Sequence, residues 1–131
     1  MSFNYKSRNV LVLEDALATK RLLEYMLKEL NFSPISSETR DDFLEAYNSN
    51  DYYAAILDNN VPYNFGGICE RDVGVNLAYN LLREPGMRVA LHTGEDLGSR
   101  IPEFKNIGLR YFQKPVLIRD LGDFLNYPKV D

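Results

Sequence analysis

Residues 54–62 read AAILDNNVP, a buried-strand pattern that ends in a charge. The first four residues are small or apolar, which favours a strand inside a core. Asp58 then interrupts the run and two asparagines follow it. Because burying a lone charge is costly, the Asp58 carboxylate must lie near water or find partners. Partners for Asp58 are therefore expected elsewhere in the sequence.

The composition indicates one globular domain. The chain has 131 residues, 45% of them hydrophobic and 26% charged, which suits a single core. Its net charge is −4 and it has no Lys/Arg-rich run, so no nucleic-acid partner is expected. Without an apolar signal segment or spanning run, no membrane partner is expected either. The single cysteine, Cys69, excludes an internal disulfide, and a cytoplasmic location is expected.

The hydrophobic pattern predicts five strands and about five helices in alternation. The strands are expected near residues 10–13, 33–37, 53–57, 88–92 and 109–113. The segment between the third strand and the next helix, residues 59–72, is polar and rich in turn residues. It is predicted to be a loop.

The helices follow from apolar spacing and from their end signals. Thr39 with Asp42 resembles a capping box that opens the second helix. Pro85-Gly86 should end the third helix, and Pro128 the last one, whose apolar stripe includes Leu117. Residues 96–106 are expected to form a poor helix because Gly98 and Pro102 interrupt it.

Strands that alternate with helices predict an α/β fold with a doubly wound parallel sheet. One domain over residues 1–131, with its core at about residues 8–127, is expected. In such sheets ligands bind beyond the carboxyl ends of the strands. The residues that follow each strand are therefore the candidates for a site.

Charged and hydroxyl side chains follow four of the predicted strands: Glu14-Asp15, Asp58, Thr93 and Lys114. Converging carboxylates repel one another unless a cation joins them, and hard oxygen ligands favour Mg²⁺. Asn60 could add its backbone carbonyl as a further ligand. Lys114 and Thr93 suit the oxygens of a phosphoryl group, with Asp58 as the nucleophile.

At these residues the chain resembles a response-regulator receiver domain, the phosphoacceptor module of two-component signalling. The family pattern is an acidic pair, an aspartate, a Thr/Ser and a Lys-Pro pair after strands one, three, four and five. The match runs in register from about Arg8 to Leu125. It implies a flavodoxin-like (βα)5 fold with strand order 2-1-3-4-5.

The resemblance also implies roles for the strand-end residues. Asp58 would accept a phosphoryl group from a histidine kinase or a histidine phosphotransfer protein. Asp15 and Asp58 would ligate Mg²⁺ directly and Glu14 through water. Thr93 and Lys114 would bind the phosphoryl oxygens.

Three further residues match family positions that regulate the switch. Tyr111 matches the aromatic residue that turns inward when the threonine moves to the phosphate. Asn60 and Glu95 match positions that tune the lifetime of the phosphorylated state.

The chain departs from the family pattern in two places. The glycine that opens the third helix, Gly74, lies sixteen residues after Asp58, farther than the family places it. The extra residues, roughly 63–71, would enlarge the 59–72 loop over the site. Thr93 is followed by Gly94, where the family more often has alanine.

The expected function is that of a stand-alone response regulator in a phosphorelay, which is not an enzyme and signals through a downstream protein. An alternative is a receiver-like adaptor that binds a partner through the 59–72 loop without phosphorylation. A small Mg²⁺-dependent phosphatase is a weaker alternative. Such enzymes carry a second acid two residues after the nucleophile, where this chain has Asn60. The single histidine, His92, is expected to pack rather than to catalyse.

Overall fold

The structure, a computed structural model, describes residues 3–126. Its strands, numbered along the chain, are β1 (Asn9–Leu13), β2 (Ser33–Ser37), β3 (Ala54–Leu57), β4 (Val61–Pro62), β5 (Cys69–Glu70), β6 (Arg88–Thr93) and β7 (Arg110–Gln113). Its α-helices are α1 (Leu17–Glu29), α2 (Arg40–Ser49), α3 (Val73–Leu81), α4 (Ile101–Ile107) and α5 (Ile118–Asn126). A 3₁₀ turn, Gly98–Arg100, precedes α4.

Five strands form one parallel sheet in the order β2-β1-β3-β6-β7. Counting these five strands alone, the order is 2-1-3-4-5. The predicted flavodoxin-like fold is therefore confirmed. The carboxyl ends of β1, β3, β6 and β7, which carry the candidate site residues, all meet at one edge of this sheet.

The sheet is covered on both faces because alternate residues of each strand point to opposite sides. In β1, Leu11 and Leu13 belong to one core cluster, which Phe43 of α2 and Phe104 of α4 complete. Val10 and Val12 belong to the opposite cluster, together with side chains of α1 and α5 such as Leu23, Leu27, Leu121 and Phe124. This burial fixes the strands and hence the positions of the residues that follow them.

Most helix boundaries follow the predicted signals. The Thr39 hydroxyl accepts the N–H of Asp42 at 3.1 Å and caps α2. The third helix, α3, ends before Pro85. The final helix begins at Ile118, so Leu117, which is exposed, does not belong to its apolar stripe. Pro128, the predicted stop, lies outside the described residues.

The prediction of a poor helix at residues 96–106 was wrong. Pro102 lies in the first turn of α4, where the missing N–H would have no helical partner anyway. Gly98 falls in the 3₁₀ turn before the helix. Proline therefore lies in the first turn of this helix and glycine lies before it, so neither breaks it.

The prediction of a plain loop at residues 59–72 was also incomplete, because β4 and β5 pair there as an antiparallel hairpin. We call residues 61–70 the hairpin. Its tip is a turn in which the Gly67 N–H donates to the Asn64 carbonyl at 3.0 Å. The Tyr63 carbonyl accepts the Asp41 N–H of α2 at 2.9 Å, which anchors one strand. Strands of two residues carry too little periodicity to be predicted.

Among the described helices, none is long and apolar enough to cross a membrane.

Candidate functional site

Three carboxylates meet at the carboxyl edge of the sheet. Oxygens of Glu14, Asp15 and Asp58 lie within 4.8 Å of one another. Glu14 is fully buried and Asp58 is 6% exposed, whereas Asp15 is exposed. The neighbouring positions of β1 and β3 bring the three residues together, as the strand-end pattern predicts.

Lys114 links two of these carboxylates. Its Nζ lies 2.8 Å from Glu14 Oε1 and 3.0 Å from Asp58 Oδ2. Its backbone N–H donates to the Thr93 carbonyl at 2.8 Å, which ties the end of β7 to the end of β6. Burial would lower the pKa of Lys114, but Glu14 and Asp58 outweigh burial and hold that pKa above its ordinary value. The ammonium group is therefore charged and directed at the Asp58 carboxylate.

The remaining oxygens of these carboxylates are held by backbone. Asp58 Oδ1 accepts the N–H of Asn59 at 2.7 Å. Glu14 Oε2 accepts the N–H of Ala16 at 3.1 Å. These contacts fix the orientation of both side chains at the ends of their strands.

The acid cluster carries repulsion that a cation would relieve. Burial and the charge of Asp58 raise the pKa of Glu14 to about 7, although Lys114 acts in the opposite direction. Burial and the charge of Asp58 also raise the pKa of Asp15. Clustered oxygen ligands of this kind suit Mg²⁺, which binds through one or two carboxylates and keeps several waters.

Thr93 and Tyr111 are connected through the loop that follows β6. The buried Thr93 hydroxyl accepts the N–H of Glu95 at 3.2 Å. The Tyr111 hydroxyl donates to the Glu95 carbonyl at 2.7 Å and accepts the Leu97 N–H at 2.9 Å. The Tyr111 ring packs against Phe104 of α4 with centroids 6.1 Å apart. A movement of Thr93 would therefore disturb the contacts of Tyr111.

Asn59 belongs to the site although sequence reasoning gave it no role. It is fully buried, and its Nδ2 group donates to Asp72 at 3.0 Å and to Glu95 at 2.9 Å. Its Oδ1 accepts the N–H of Val75 at 3.1 Å. Asn60 also reaches Glu95, through Nδ2 at 2.9 Å. The sequence feature that could have identified Asn59 is its amide side chain directly after a buried strand. An apolar side chain would cost less free energy to bury at that position.

Gly74 packs directly on the backbone that follows β3. A Cβ at this position would lie 2.3 Å from the Asp58 carbonyl oxygen and 2.9 Å from Asn59 Cα. The Gly74 N–H donates to the Asn59 carbonyl at 3.1 Å. The glycine therefore opens α3 against Asp58 despite the sixteen-residue separation in sequence.

The hairpin lies beside the acid cluster. Burial and the charges of Asp15 and Asp58 raise the pKa of the exposed Cys69 thiol in β5. A groove of about 830 Å³ has Asp15 in its wall together with Pro62, Phe65 and Gly66 of the hairpin. The hairpin therefore borders the acid cluster.

His92 packs in the interior. Its Nε2 accepts the N–H of Val116 at 3.2 Å. Burial, helped by the charge of Lys114, lowers its pKa to about 4. The imidazole is therefore neutral near pH 7.

No protein-family model matches the sequence, and no curated protein matches it significantly. Solved structures do match. One is a response regulator receiver domain protein from Clostridium thermocellum, with 21% identity, 90% of each chain covered and a TM-score of 0.70.

Two further matches are receiver domains from Pseudomonas. The signal receiver domain of an HD domain-containing protein from Pseudomonas fluorescens has 20% identity and a TM-score of 0.73, with 92% of this chain and 93% of that chain covered. The receiver domain of a sensor histidine kinase from Pseudomonas aeruginosa has 17% identity and a TM-score of 0.70, covering 92% and 95%. That domain holds a magnesium ion coordinated in its active site cleft. Identities this low show a shared fold, so the chain has the receiver-domain fold.

Proposed function

We propose that the protein is a response-regulator receiver of two-component signalling that accepts a phosphoryl group on Asp58. The observation that carries this proposal is the Lys114 ammonium, 3.0 Å from Asp58 and 2.8 Å from Glu14. A buried carboxylate beside a fixed cation, at the edge where such folds bind ligands, suits phosphoryl transfer. The receiver-domain fold of the solved neighbours supports the same conclusion.

The proposed reaction is in-line transfer from the phosphohistidine of a histidine kinase or a histidine phosphotransfer protein. An Asp58 carboxylate oxygen attacks phosphorus while the phosphorus–nitrogen bond breaks, and the imidazole leaves with that electron pair. Lys114 neutralises charge on the phosphoryl oxygens, and the Thr93 hydroxyl, on the adjacent strand, donates to one of them.

Asp15 and Asp58 would hold Mg²⁺, with the Asn60 backbone carbonyl as a third protein ligand. Both Glu14 oxygens are already engaged by Lys114 and Ala16, which suits contact through water. When bound, the cation supplies charge neutralisation to the phosphoryl oxygens.

The output would be a conformational change and not a released product, so the chain is a signalling domain and not an enzyme. Movement of Thr93 toward the phosphoryl group would break its contact with the Glu95 N–H and loosen the Tyr111 contacts to this loop. A downstream protein would recognise the altered surface near α4 and β7. We propose a cytoplasmic location for this phosphorelay component.

Incubation with acetyl phosphate and Mg²⁺, followed by intact-mass measurement, tests the acceptor. The wild type should gain one phosphoryl group, and Asp58→Asn should gain none. Asp123→Asn, an exposed aspartate in α5, is the matched control and should behave as the wild type. Failure of the wild type to gain mass, or labelling of Asp58→Asn, would refute the proposal. Catalytic consumption of the donor would instead favour a phosphatase.

Thermal melts in chelator and in Mg²⁺ test the metal ligands. We expect Mg²⁺ at about ten times its dissociation constant to stabilise the wild type by about 1.4 kcal/mol through mass action. Asp15→Asn should lose most of this gain because it loses a carboxylate ligand. A wild-type midpoint that does not change with Mg²⁺ would count against the site.

The adaptor alternative keeps one observation in its favour. Phe65 and Ile68 of the hairpin are 95% and 77% exposed, which is unusual for large apolar side chains and suits a contact surface. An adaptor that works without phosphorylation does not need Asp58 to accept a phosphoryl group. A wild type that gains no mass in the labelling experiment would therefore favour the adaptor.

A further inference from the structure

Side-chain hydrogen bonds join three segments that are distant in sequence. Asn59 follows β3, Asp72 lies between the hairpin and α3, and Glu95 follows β6. The Nδ2 group of Asn59 donates one hydrogen bond to Asp72 at 3.0 Å and one to Glu95 at 2.9 Å. We call these three residues the amide clamp.

Asp72 is the member that holds the hairpin. Its backbone is left-handed, with φ of 60°, and its N–H donates to Asn60 Oδ1 at 3.1 Å. Its carboxylate also lies 3.4 Å from Nη1 of Arg100, just before α4. A left-handed aspartate is tolerated at modest cost where such contacts fix it. The end of the hairpin is therefore fastened both to Asn60, which follows β3, and to Arg100, just before α4.

Asn59 connects this fastening to the acceptor. Its backbone N–H donates to Asp58 Oδ1 at 2.7 Å, and its side-chain Oδ1 accepts the Val75 N–H of α3. The residue is 0% exposed. A buried amide costs stability unless its donors and its acceptor are paired, and here both are. The same residue thus orients Asp58 through its backbone and the hairpin through its side chain.

We propose that Asn59 is a positioning residue: through Asp72 and Glu95 it holds the hairpin closed beside Asp58 and so prolongs the life of the phosphorylated state. This inference rests on the proposed function, because it concerns the same acceptor. In hydrolysis a water oxygen attacks phosphorus, the bond from phosphorus to Asp58 breaks and the carboxylate leaves with the electron pair. The water proton passes to solvent. Slower access of water to phosphorus gives a longer half-life.

The position of the hairpin supports this effect on water. Pro62, Phe65 and Gly66 of the hairpin line the same groove as Asp15 of the acid cluster. The hairpin is held at its first strand by the contact of Tyr63 with α2 and at its far end by Asp72. Releasing Asp72 frees the end of the hairpin next to Asn59 and so admits solvent to Asp58.

Four proteins test the inference: the wild type, Asn59→Leu, Asp72→Gly and the double variant. Leucine keeps a similar volume without the amide, and glycine adopts the left-handed backbone without strain. Each is phosphorylated with acetyl phosphate and Mg²⁺, the donor is removed, and the loss of phosphoryl mass is followed with time. Asn76→Leu, an exposed asparagine in α3, is the matched control.

We expect each single variant to shorten the half-life at least about threefold. The double variant should match the larger single effect, because either change removes the contact between Asn59 and Asp72. A purely structural role would lower the melting temperature of each variant. The two reductions in half-life would then multiply in the double variant. A smaller shortening, no change, a longer half-life or independent effects in the double variant would overturn the inference. If Asn59→Leu does not fold, Asp72→Gly is judged alone by the same threshold. A wild type that cannot be phosphorylated would refute the proposed function and this inference with it, whereas unaltered half-lives refute the inference alone.

Discussion

The acid cluster and the hairpin lie side by side and are built in opposite ways. In the acid cluster, Glu14 and Asp58 are charged groups in buried positions, each held by Lys114 and by a backbone N–H. In the hairpin, Phe65 and Ile68 are apolar groups in exposed positions. The Tyr63 carbonyl, which accepts the Asp41 N–H, holds the first strand of the hairpin, and the hydrogen bond from Asn59 to Asp72 holds its far end.

This difference in buried and exposed side chains suits the acid cluster to a reaction and the hairpin to contacts with other molecules. Buried charges are costly unless their partners are fixed, so the acid cluster has a defined geometry that suits a reaction. Exposed apolar side chains contribute little to folding and remain available for contacts with other molecules. Substitutions in the two regions should therefore have different consequences.

The largest effect is expected where the chain returning from the hairpin meets the backbone of Asp58, at the end of β3. Gly74→Ala would place a Cβ 2.3 Å from the Asp58 carbonyl oxygen, and backbone cannot yield as a flexible side chain can. We expect the free energy of unfolding to fall by about 3 kcal/mol, at the upper end for overpacking. Urea denaturation measures this change.

Gly94→Ala is the matched control, because a Cβ at position 94 meets no atom within 4 Å. Its stability should stay within about 1 kcal/mol of the wild type. Equal losses in both variants would show that α3 does not press on the backbone of Asp58, and would break the comparison.

The acid cluster could largely be predicted from sequence, because continuous apolar runs mark buried parallel strands and their ends meet at one edge. Asp58, Glu14, Asp15 and Lys114 therefore come together as expected. The role of Asn59 could not be predicted. Its partners Asp72 and Glu95 lie 13 and 36 residues away, so the fold must bring them to it.

The hairpin and α4 were misjudged for a local reason. Residues 61–62 and 69–70 are too short to show a period, and Pro102 has a different meaning in a first turn than inside a helix. Loop segments are governed by specific backbone contacts, such as that of Tyr63 with Asp41, and these have no signature in hydrophobic spacing.

The second prediction removes the cation from the acid cluster. Lys114→Met keeps much of the side-chain volume but leaves Glu14 and Asp58 without their partner. We expect Asp58 still to be phosphorylated, about tenfold more slowly, which corresponds to roughly 1.4 kcal/mol of lost transition-state stabilisation. The change in the NMR signals of Tyr111 that follows phosphorylation of Asp58 should disappear. An unaltered response at Tyr111 would contradict the coupling between Lys114 and the β6–α4 loop.

The third prediction concerns pH in the absence of metal. Because the pKa of Glu14 is about 7 in the folded protein and its ordinary value is 4.5, the folded state binds more protons between these values. The stability that Glu14 contributes is complete below about pH 4.5 and is lost as the pH rises through 7. Glu14→Gln, which mimics the protonated form, should remove this loss.

The difference in stability between the wild type and Glu14→Gln is obtained from their urea midpoints, measured in chelator from pH 4 to 8. His92, whose pKa is lowered to about 4, has the opposite slope, with stability falling as the pH falls from 6.5 through 4. It is present in both proteins and cancels in the difference. A difference that does not vary with pH would mean that Glu14 titrates at its ordinary value.

The smallest effect is expected at the tip of the hairpin. Phe65→Ser and Ile68→Ser replace side chains that are 95% and 77% exposed, so little apolar burial is lost. We expect each change in the free energy of unfolding to stay within about 0.5 kcal/mol, as at other surface positions. Thermal and urea unfolding of both variants measure it, with Val61→Ala as the contrast, since Val61 of the same hairpin is fully buried and should cost about 2 kcal/mol. Losses above about 1 kcal/mol at the tip would show that it packs against the domain, and the division between a buried reactive edge and an exposed contact surface would then fail.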